Sequence, residues 1–239
     1  GSAVIGRGKQ VDITAKDGTK QAITADHIII ATGARARALP NLPIDGEHII
    51  DYRRAMSMPS QPKRMIVVGA GAIGVEFAYF YSTIGTEVTI VEFMEQGLVP
   101  REDPDISKEL TKVFKKEGIQ VLANTSVESV EKINNQLKVT TKNRKTGETQ
   151  VLECDVVLSA VGIDPNTSGI GLESLGVKMD RGYVLVDEYY RTNVPGIYAI
   201  GDIVPGTALA HVASAEGITC VEAIKGMKPT PIDYNNIPG

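Results

Sequence analysis

The 239-residue chain has no tryptophan, four phenylalanines, three histidines and two cysteines. So few aromatic rings leave no stacking platform for a single-stranded nucleic acid. A net charge of −4 gives no sign of the basic face such a partner requires. No uninterrupted run of about 18 apolar residues occurs, so no membrane span is expected, and no secretory leader is legible at the N-terminus. Neither nucleic acid nor membrane is therefore an expected partner. Cys154 and Cys220 stand far apart and form no C-x-x-C; they read as buried apolar thiols in a reducing compartment. His27, His48 and His211 are scattered, so no metal site is expected.

What is present is patterned. Residues 10–14 and 21–24 flank Asp17-Gly18, a turn pair, and read as a β-hairpin. Ile28-Ile29-Ile30-Ala31 is short and wholly apolar, as in a strand buried on both faces. The stretch 35–62 contains Pro40, Pro43, Pro59 and Pro62. It reads as a connection with one short helix at 52–56 and a domain boundary near Pro62.

Residues 65–68 read as a buried strand, 73–84 as a helix stopped by Gly85, and 87–91 as a strand. Asp103-Pro104 supplies an N-cap and a first-turn proline for a helix ending near Glu117, with Gly118 as its stop and a strand at 119–122. The order β-α-β-α-β signals a doubly wound parallel sheet. Short strands at 127–133, 137–142 and 149–153, parted by Asn134-Asn135 and Thr146-Gly147, then suggest an antiparallel meander, and 156–160 returns to a buried strand. The predicted fold class is α/β: a Rossmann-like nucleotide-binding domain with a three-stranded meander at 62–165, inserted between 1–61 and 166–239 of a second domain. An internal echo supports a duplicated domain. Asp26-His27-Ile28-Ile29-Ile30-Ala31-Thr32-Gly33 matches Asp155-Val156-Val157-Leu158-Ser159-Ala160-Val161-Gly162 as Asp, x, apolar run, Ala, x, Gly.

Gly69-Ala70-Gly71-Ala72-Ile73-Gly74 is the strongest local signal. A bare G-x-G-x-x-G is weak, because glycine turns are common, but this one follows a buried strand and opens a helix. Gly69 permits a tight turn, Gly71 leaves room for a pyrophosphate, and Gly74 lets helix and strand pack closely. The unpaired N–H groups of the first helical turn would then meet the anion. Glu92 ends the next strand, where an acid accepts from the ribose hydroxyls and repels a 2′-phosphate. Val91-Glu92-Phe93-Met94-Glu95 holds two acids and no arginine, which favours NAD over NADP; the plainer alternative is a solvated strand-end acid. Glu76 is expected in the first turn of the helix, as a dipole-compensating acid or as a functional group near the bound anion. Gly201-Asp202 ends the apolar run 197–200; the Asp suits sugar-like hydroxyls, although the pair alone is an ordinary turn.

Together these pieces resemble the pyridine-nucleotide disulfide oxidoreductase family. The matching stretches are Ala31-Thr32-Gly33, the glycine turn through Phe77, Ala160-Val161-Gly162, Tyr198 to Asp202, and Leu209-Ala210-His211 followed by Glu216-Gly217. They span nearly the whole chain in the family's order. The wording from Gly69 to Glu76, Glu92, and Leu-Ala-His with Glu-Gly are most similar to members that oxidise dihydrolipoamide and reduce NAD. The resemblance implies that residues 69–76 (with Ala70, Ala72, Ile73 and Val75 between the glycines and Glu76) and Glu92 bind NAD, with Val127 near the adenine and Gly162 near the nicotinamide half. It implies that Thr32, Gly33 and Ala34 line an FAD site, that Asp202 holds the ribityl chain, and that Ala208, Leu209, Ala210 and His211 contact flavin. Glu76 would pair with a lysine near the flavin in the intact enzyme.

The departures from the family pattern matter equally. The first FAD fingerprint and the C-x-x-x-x-C redox disulfide would lie before residue 1, and the dimerisation domain after Gly239. The expectation is an inactive, flavin-free and monomeric piece of a homodimeric enzyme, acting on dihydrolipoamide or a lipoyl domain in a bacterial cytoplasm or a mitochondrial matrix. Gly162 is followed by Ile163-Asp164, where the family often has arginine, so one cofactor contact is in doubt. Two alternatives stay open: another flavoprotein reductase or NADH oxidase of the same family, or a nucleotide-binding module without catalysis.

Overall fold

A computed structural model describes residues 1–133 and 136–237; the turn expected at Asn134-Asn135 lies outside them. In chain order the elements are β1 (Ser2–Ile5), β2 (Gln10–Thr14), β3 (Lys20–Thr24), β4 (Ile28–Ile30), β5 (Ala34–Ala36), β6 (Ile49–Ile50) and α1 (Tyr52–Ala55). Next come β7 (Arg64–Val68), α2 (Ala72–Thr83), β8 (Glu87–Val91), α3 (Pro104–Lys116), β9 (Gln120–Leu122), β10 (Thr125–Ile133), β11 (Gln136–Asn143) and β12 (Thr149–Cys154). The chain ends with β13 (Val156–Ser159), β14 (Ile163–Pro165), β15 (Met179–Asp180), β16 (Tyr183–Val184), β17 (Ile197–Ala199) and α4 (Ala210–Ile224). It divides into two compact units, residues 36–163 and residues 1–35 with 164–239.

The 36–163 unit holds a five-stranded sheet in the order β6-β13-β7-β8-β9, with every pairing parallel. Its central strands β7 and β13 carry apolar runs, Met65 to Val68 and Val156 to Leu158, because both faces are covered. Met65 and Val67 of β7 join the cluster with Val75, Ala78 and Tyr81 of α2 and Phe114 of α3. Ile66 and Val68 join the cluster with Val127, Leu137 and Val139 of the antiparallel β10-β11-β12 meander. The helix ends follow local chemistry. Asp103 accepts from the N–H of Asp105 at 2.8 Å with Pro104 behind it. Gly85, at φ +100°, closes α2.

The expected boundary at Pro62 is corrected: residues 36–61 belong to this unit. Ile49 and Ile50 pair in parallel with Val157 and Leu158, adding a strand to the sheet. Asp51 caps α1 by accepting from the N–H of Arg54 at 2.9 Å, and the Tyr81 hydroxyl donates to the carbonyl of Ala55 at 2.6 Å. Three prolines make the segment look like a linker, yet Leu42 and Ile50 are fully buried.

The other unit begins with the antiparallel sheet β1-β2-β3. Its β2–β3 hairpin turns at Asp17-Gly18, where Asp17 accepts from the N–H of Thr19 at 2.9 Å. Strands β4 and β17 pair in parallel, Ile28 with Ile197 through Ile30 with Ala199. Ile30, Ile197, Ala199 and Ile203 pack with Ile5, Leu172 and Val184 in its core. The two echoed segments are thus both parallel strands, β4 and β13, each followed by a glycine in the left-handed region, Gly33 at φ +65° and Gly162 at φ +114°.

Both cysteines are buried free thiols. Burial pushes Cys154 up to about 12 and Cys220 up to about 11. Among the described residues no helix is long and apolar enough to cross a membrane, and no three His, Cys, Asp or Glu side chains cluster as metal ligands would.

Candidate functional site

In the 36–163 unit the topology reverses at β7. The chain steps from β7 through α2 to β8 on one side, and returns after the meander as β13 on the other. Open parallel sheets take ligands outside the carboxyl ends of their strands at such a reversal. The glycine turn sits there. A Cβ on Gly69, whose φ is +100°, would stand 2.4 Å from the carbonyl oxygen of Ala160 at the end of β13. A Cβ on Gly74 would stand 2.0 Å from the carbonyl oxygen of Gly69. Gly71 caps α2, and a Cβ there would meet nothing within 4 Å. Two glycines are required by packing; the middle one is open. Ala70 and Val75 are buried, whereas Ala72 is exposed and Ile73 half-buried. The turn therefore presents main chain and small side chains before the unpaired amides of α2.

Glu92 follows β8 and is only 6% exposed. One carboxylate oxygen accepts from the N–H of Ala70 at 2.6 Å, the other from the N–H of Met94 at 2.7 Å. A carboxylate has about four acceptor positions, so the acid braces the glycine turn and keeps capacity for hydroxyl donors. This bracing role is invisible in the sequence.

Two expectations change. Glu76 is exposed and lies one turn further in, because α2 starts at Ala72 and has no acid in its first turn. Helix-dipole compensation, which fades beyond the first turn, therefore explains little of its presence. Val127 is 6% exposed and packs in the core with Val68 and Leu137, so its side chain is not offered to a ligand; its carbonyl accepts from the side-chain amide of Asn41.

Gly162 is exposed, and the arginine missing after it has a neighbour from elsewhere. Arg37 donates from its main-chain N–H to the carbonyl of Gly162 at 3.0 Å and from its guanidinium to the carbonyl of Ile163 at 3.1 Å. Its Nη1 lies 3.6 Å from where a Cβ on Gly162 would be. Arg144 is a second arginine that sequence reasoning missed. It comes from the turn after β11, and its guanidinium sits 3.5 Å from the ring centroid of Phe93. No local signal marks either residue, since each meets its partner only through the fold.

The other unit holds a smaller counterpart at the carboxyl ends of β4 and β17. The Thr32 hydroxyl donates to the carbonyl of Asn166 at 2.6 Å, and the Asn166 side chain returns a bond to the carbonyl of Thr32 at 3.1 Å. The Gly33 carbonyl accepts from the N–H of Asn166 at 2.9 Å. Asn166, unflagged in the sequence, thus shapes the turn. Thr32 is exposed and Gly33 half-buried, whereas Ala34 is 5% exposed and turned into the core.

Asp202 lies half-buried in a single helical turn, Gly201–Ile203. The Gly201 N–H donates to the buried carboxylate of Glu216 at 2.5 Å. The other oxygen of Glu216 accepts from the Tyr234 hydroxyl at 2.7 Å, and Tyr234 meets the Tyr190 hydroxyl at 3.0 Å. Ala208, Ala210 and His211 are exposed and Leu209 half-buried at the start of α4, which packs against this turn. The structure therefore groups Thr32, Gly33, Asp202 and residues 208–211 in one unit, and the glycine turn, Glu92 and Gly162 in the other.

The description "pyridine nucleotide-disulphide oxidoreductase" belongs to the sequence family whose profile matches residues 2–217. The mitochondrial dihydrolipoyl dehydrogenase 1 of Arabidopsis thaliana is 40% identical over 231 residues, 96% of this chain and 45% of that protein. The dihydrolipoyl dehydrogenase of Rhizobium etli is 45% identical over 217 residues, 90% of this chain and 45% of its own length. Among solved structures, LpdA from Mycobacterium tuberculosis superposes with a TM-score of 0.84 at 35% identity, covering 96% of this chain and 49% of that one. The chain thus spans about half the length of the curated relatives it matches.

Proposed function

The chain belongs to the pyridine nucleotide-disulphide oxidoreductase family, and from that premise we propose that its 36–163 unit binds NAD within a protein that oxidises dihydrolipoamide. The observation that supports this most directly is the contrast within the glycine turn. Gly69 and Gly74 are closed in by backbone, while nothing lies within 4 Å of a Cβ at Gly71. The open position faces the ligand, and the amides of residues 71–74 supply donors for its pyrophosphate. Glu92 takes the ribose hydroxyls on the acceptor capacity left by Ala70 and Met94, and its charge disfavours a 2′-phosphate.

The other unit contributes part of an FAD site. Thr32 and Gly33 form one side, Asp202 accepts from the hydroxyls of the ribityl chain, and residues 208–211 approach the flavin. A half-exposed carboxylate on a fixed turn fits that group. FAD supplies the two-electron relay between a dithiol and the nicotinamide. This chain's residues bind and orient the two cofactors, and the exposed Glu76 of α2 offers a carboxylate for an ion pair in the intact protein. The substrate is dihydrolipoamide or a lipoyl domain, the intact protein is a homodimer, and its compartment is a bacterial cytoplasm or a mitochondrial matrix.

Titration calorimetry with NADH and NADPH tests the reading. NADH binds more tightly than NADPH, and Glu92→Ala weakens NADH by about 1 kcal/mol or more, the cost of leaving ribose hydroxyls unpaired. Absence of NADH binding, or equal affinity in both proteins, rejects it. A yellow preparation would show that flavin stays with the chain.

A further inference from the structure

We propose that Phe93, with the Arg144 guanidinium laid over its ring, is the platform on which the adenine of the dinucleotide stacks. The inference rests on the NAD reading above and extends it to residues that carry no motif.

Three chain segments converge at Phe93. The loop after β8 bonds to the turn after β9: the Thr125 N–H donates to the carbonyl of Glu92 at 2.9 Å, and the Asn124 N–H to that of Met94 at 3.0 Å. The turn after β11 joins them, since the Arg144 N–H donates to the carbonyl of Asn124 at 2.8 Å. Arg144 then folds back. Its Nη1 donates to the carbonyl of Phe93 at 3.0 Å, and its Cζ stands 3.5 Å from the Phe93 ring centroid. Lys145 adds an ion pair to Glu95 at 3.3 Å. The side chain of Asn143 shapes the turn by accepting from the N–H groups of Lys145 and Thr146, each at 2.9 Å.

The product of these contacts is a fixed aromatic ring that is still 54% exposed with the guanidinium in place. More than half of the Phe93 surface stays open beside the guanidinium, and holding the ring there costs side-chain entropy. That cost becomes an advantage if a flat ligand needs a preorganised surface. The position suits adenine. Phe93 directly follows Glu92, whose carboxylate reaches Ala70 of the glycine turn. A dinucleotide with its pyrophosphate at that turn and its ribose at Glu92 carries its adenine one residue further along the loop. Every base offers a π face, and the guanidinium over one face of the ring adds a cation–π attraction that holds the ring in one orientation.

The test uses calorimetric titration of the protein with NADH, with NADPH, and with ADP-ribose, which lacks the nicotinamide. Phe93→Leu keeps an apolar side chain and removes the flat ring; Phe93→Tyr keeps the ring; Arg144→Met removes the planar cation. Phe93→Leu and Arg144→Met should each weaken NADH and ADP-ribose about fivefold or more, and Phe93→Tyr should bind as the parent does. If the parent protein binds neither NADH nor ADP-ribose, the NAD reading itself falls, and this inference with it. If the parent binds and Phe93→Leu binds equally well, the platform alone is overturned. A lowered melting temperature with unchanged affinity would make Arg144 a mere tie between loops, and a loss confined to NADPH would make it a phosphate contact; either result also overturns the proposal.

Discussion

The carboxylate of Glu92 accepts a 2.6 Å hydrogen bond from the main-chain N–H of Ala70, joining the end of β8 to the glycine turn after β7. Its second oxygen accepts from the N–H of Met94 at 2.7 Å. The residue proposed to hold a ribose therefore also builds the turn proposed to receive the pyrophosphate. Glu92→Gln separates the two roles. A carboxamide has one oxygen, so it satisfies one of these amides and turns an N–H toward the other. We expect a loss of roughly 1–3 kcal/mol of stability in the absence of any nucleotide, read from urea denaturation. An unchanged midpoint would show that the two short bonds contribute nothing to the turn.

The glycine turn offers a paired test. Gly71→Ala adds a methyl group where nothing lies within 4 Å, at an extended φ of −70° that alanine adopts freely. Its melting temperature should stay close to the parent's while NADH binding is lost. Gly74→Ala places the same methyl 2.0 Å from the carbonyl oxygen of Gly69. Overpacking of this kind costs about 1–3 kcal/mol or more, so that variant should melt early. Equal melting in both, or full NADH affinity in Gly71→Ala, would show that the open side of the turn is not the ligand side.

The contrast explains what the sequence disclosed. The glycines are legible because each meets a steric demand from backbone a few residues away or directly across the sheet. Buried strands are legible because both their faces are apolar. The bracing role of Glu92 was not, since the acceptor and its donors become neighbours only when β7 and β8 pair. Arg37, Arg144 and Asn166 were missed for the same reason; each acts on a loop far away in the chain. Residues 36–61 read as a connection in the sequence because β6 has only two residues. A strand that short owes its order to the neighbouring β13, not to its own pattern.

Glu216 in the other unit repeats the Glu92 arrangement: it is 1% exposed and holds the amide of Gly201 beside Asp202. Its second oxygen depends on Tyr234, whose phenol is held above its ordinary pKa by burial and by its bonds to Tyr190 and Glu216. Removing that donor leaves a buried carboxylate short of one partner. Tyr234→Phe should cost about 1.5–3 kcal/mol, the range for a hydrogen bond to a charged group. Tyr190→Phe, one link further away and neutral, should cost nearer about 1 kcal/mol. Denaturation of the two variants side by side checks the order; a larger loss for Tyr190→Phe would show that packing, not the carboxylate, sets the energetics.

Alkaline pH tests the burial of Cys154, which is fully buried at the end of β12. Desolvation penalises its thiolate and pushes the thiol from an ordinary value of 9.0 up to about 12. The unfolded chain ionises this group near 9 while the folded chain keeps it protonated. Between those values the folded state binds more protons than the unfolded one, so stability falls as pH rises. Below 9 the contribution is fully present. Above it, each pH unit removes up to about 1.4 kcal/mol until the folded thiol ionises. Cys220, pushed up to about 11, acts in the same direction over a narrower span. Buried Tyr81 and Tyr190, whose phenols are also raised, add to the decline further up. Cys154→Ala removes one of these terms and leaves the rest. Its stability at neutral pH should be lower, because a packed sulfur is gone, yet its slope between pH 9 and 10.5 should be shallower than the parent's. Urea midpoints across that interval measure both quantities in one experiment. Parallel slopes would mean that Cys154 reaches solvent readily enough to ionise in the folded protein, which its packing among Ile66, Val157 and Leu137 argues against.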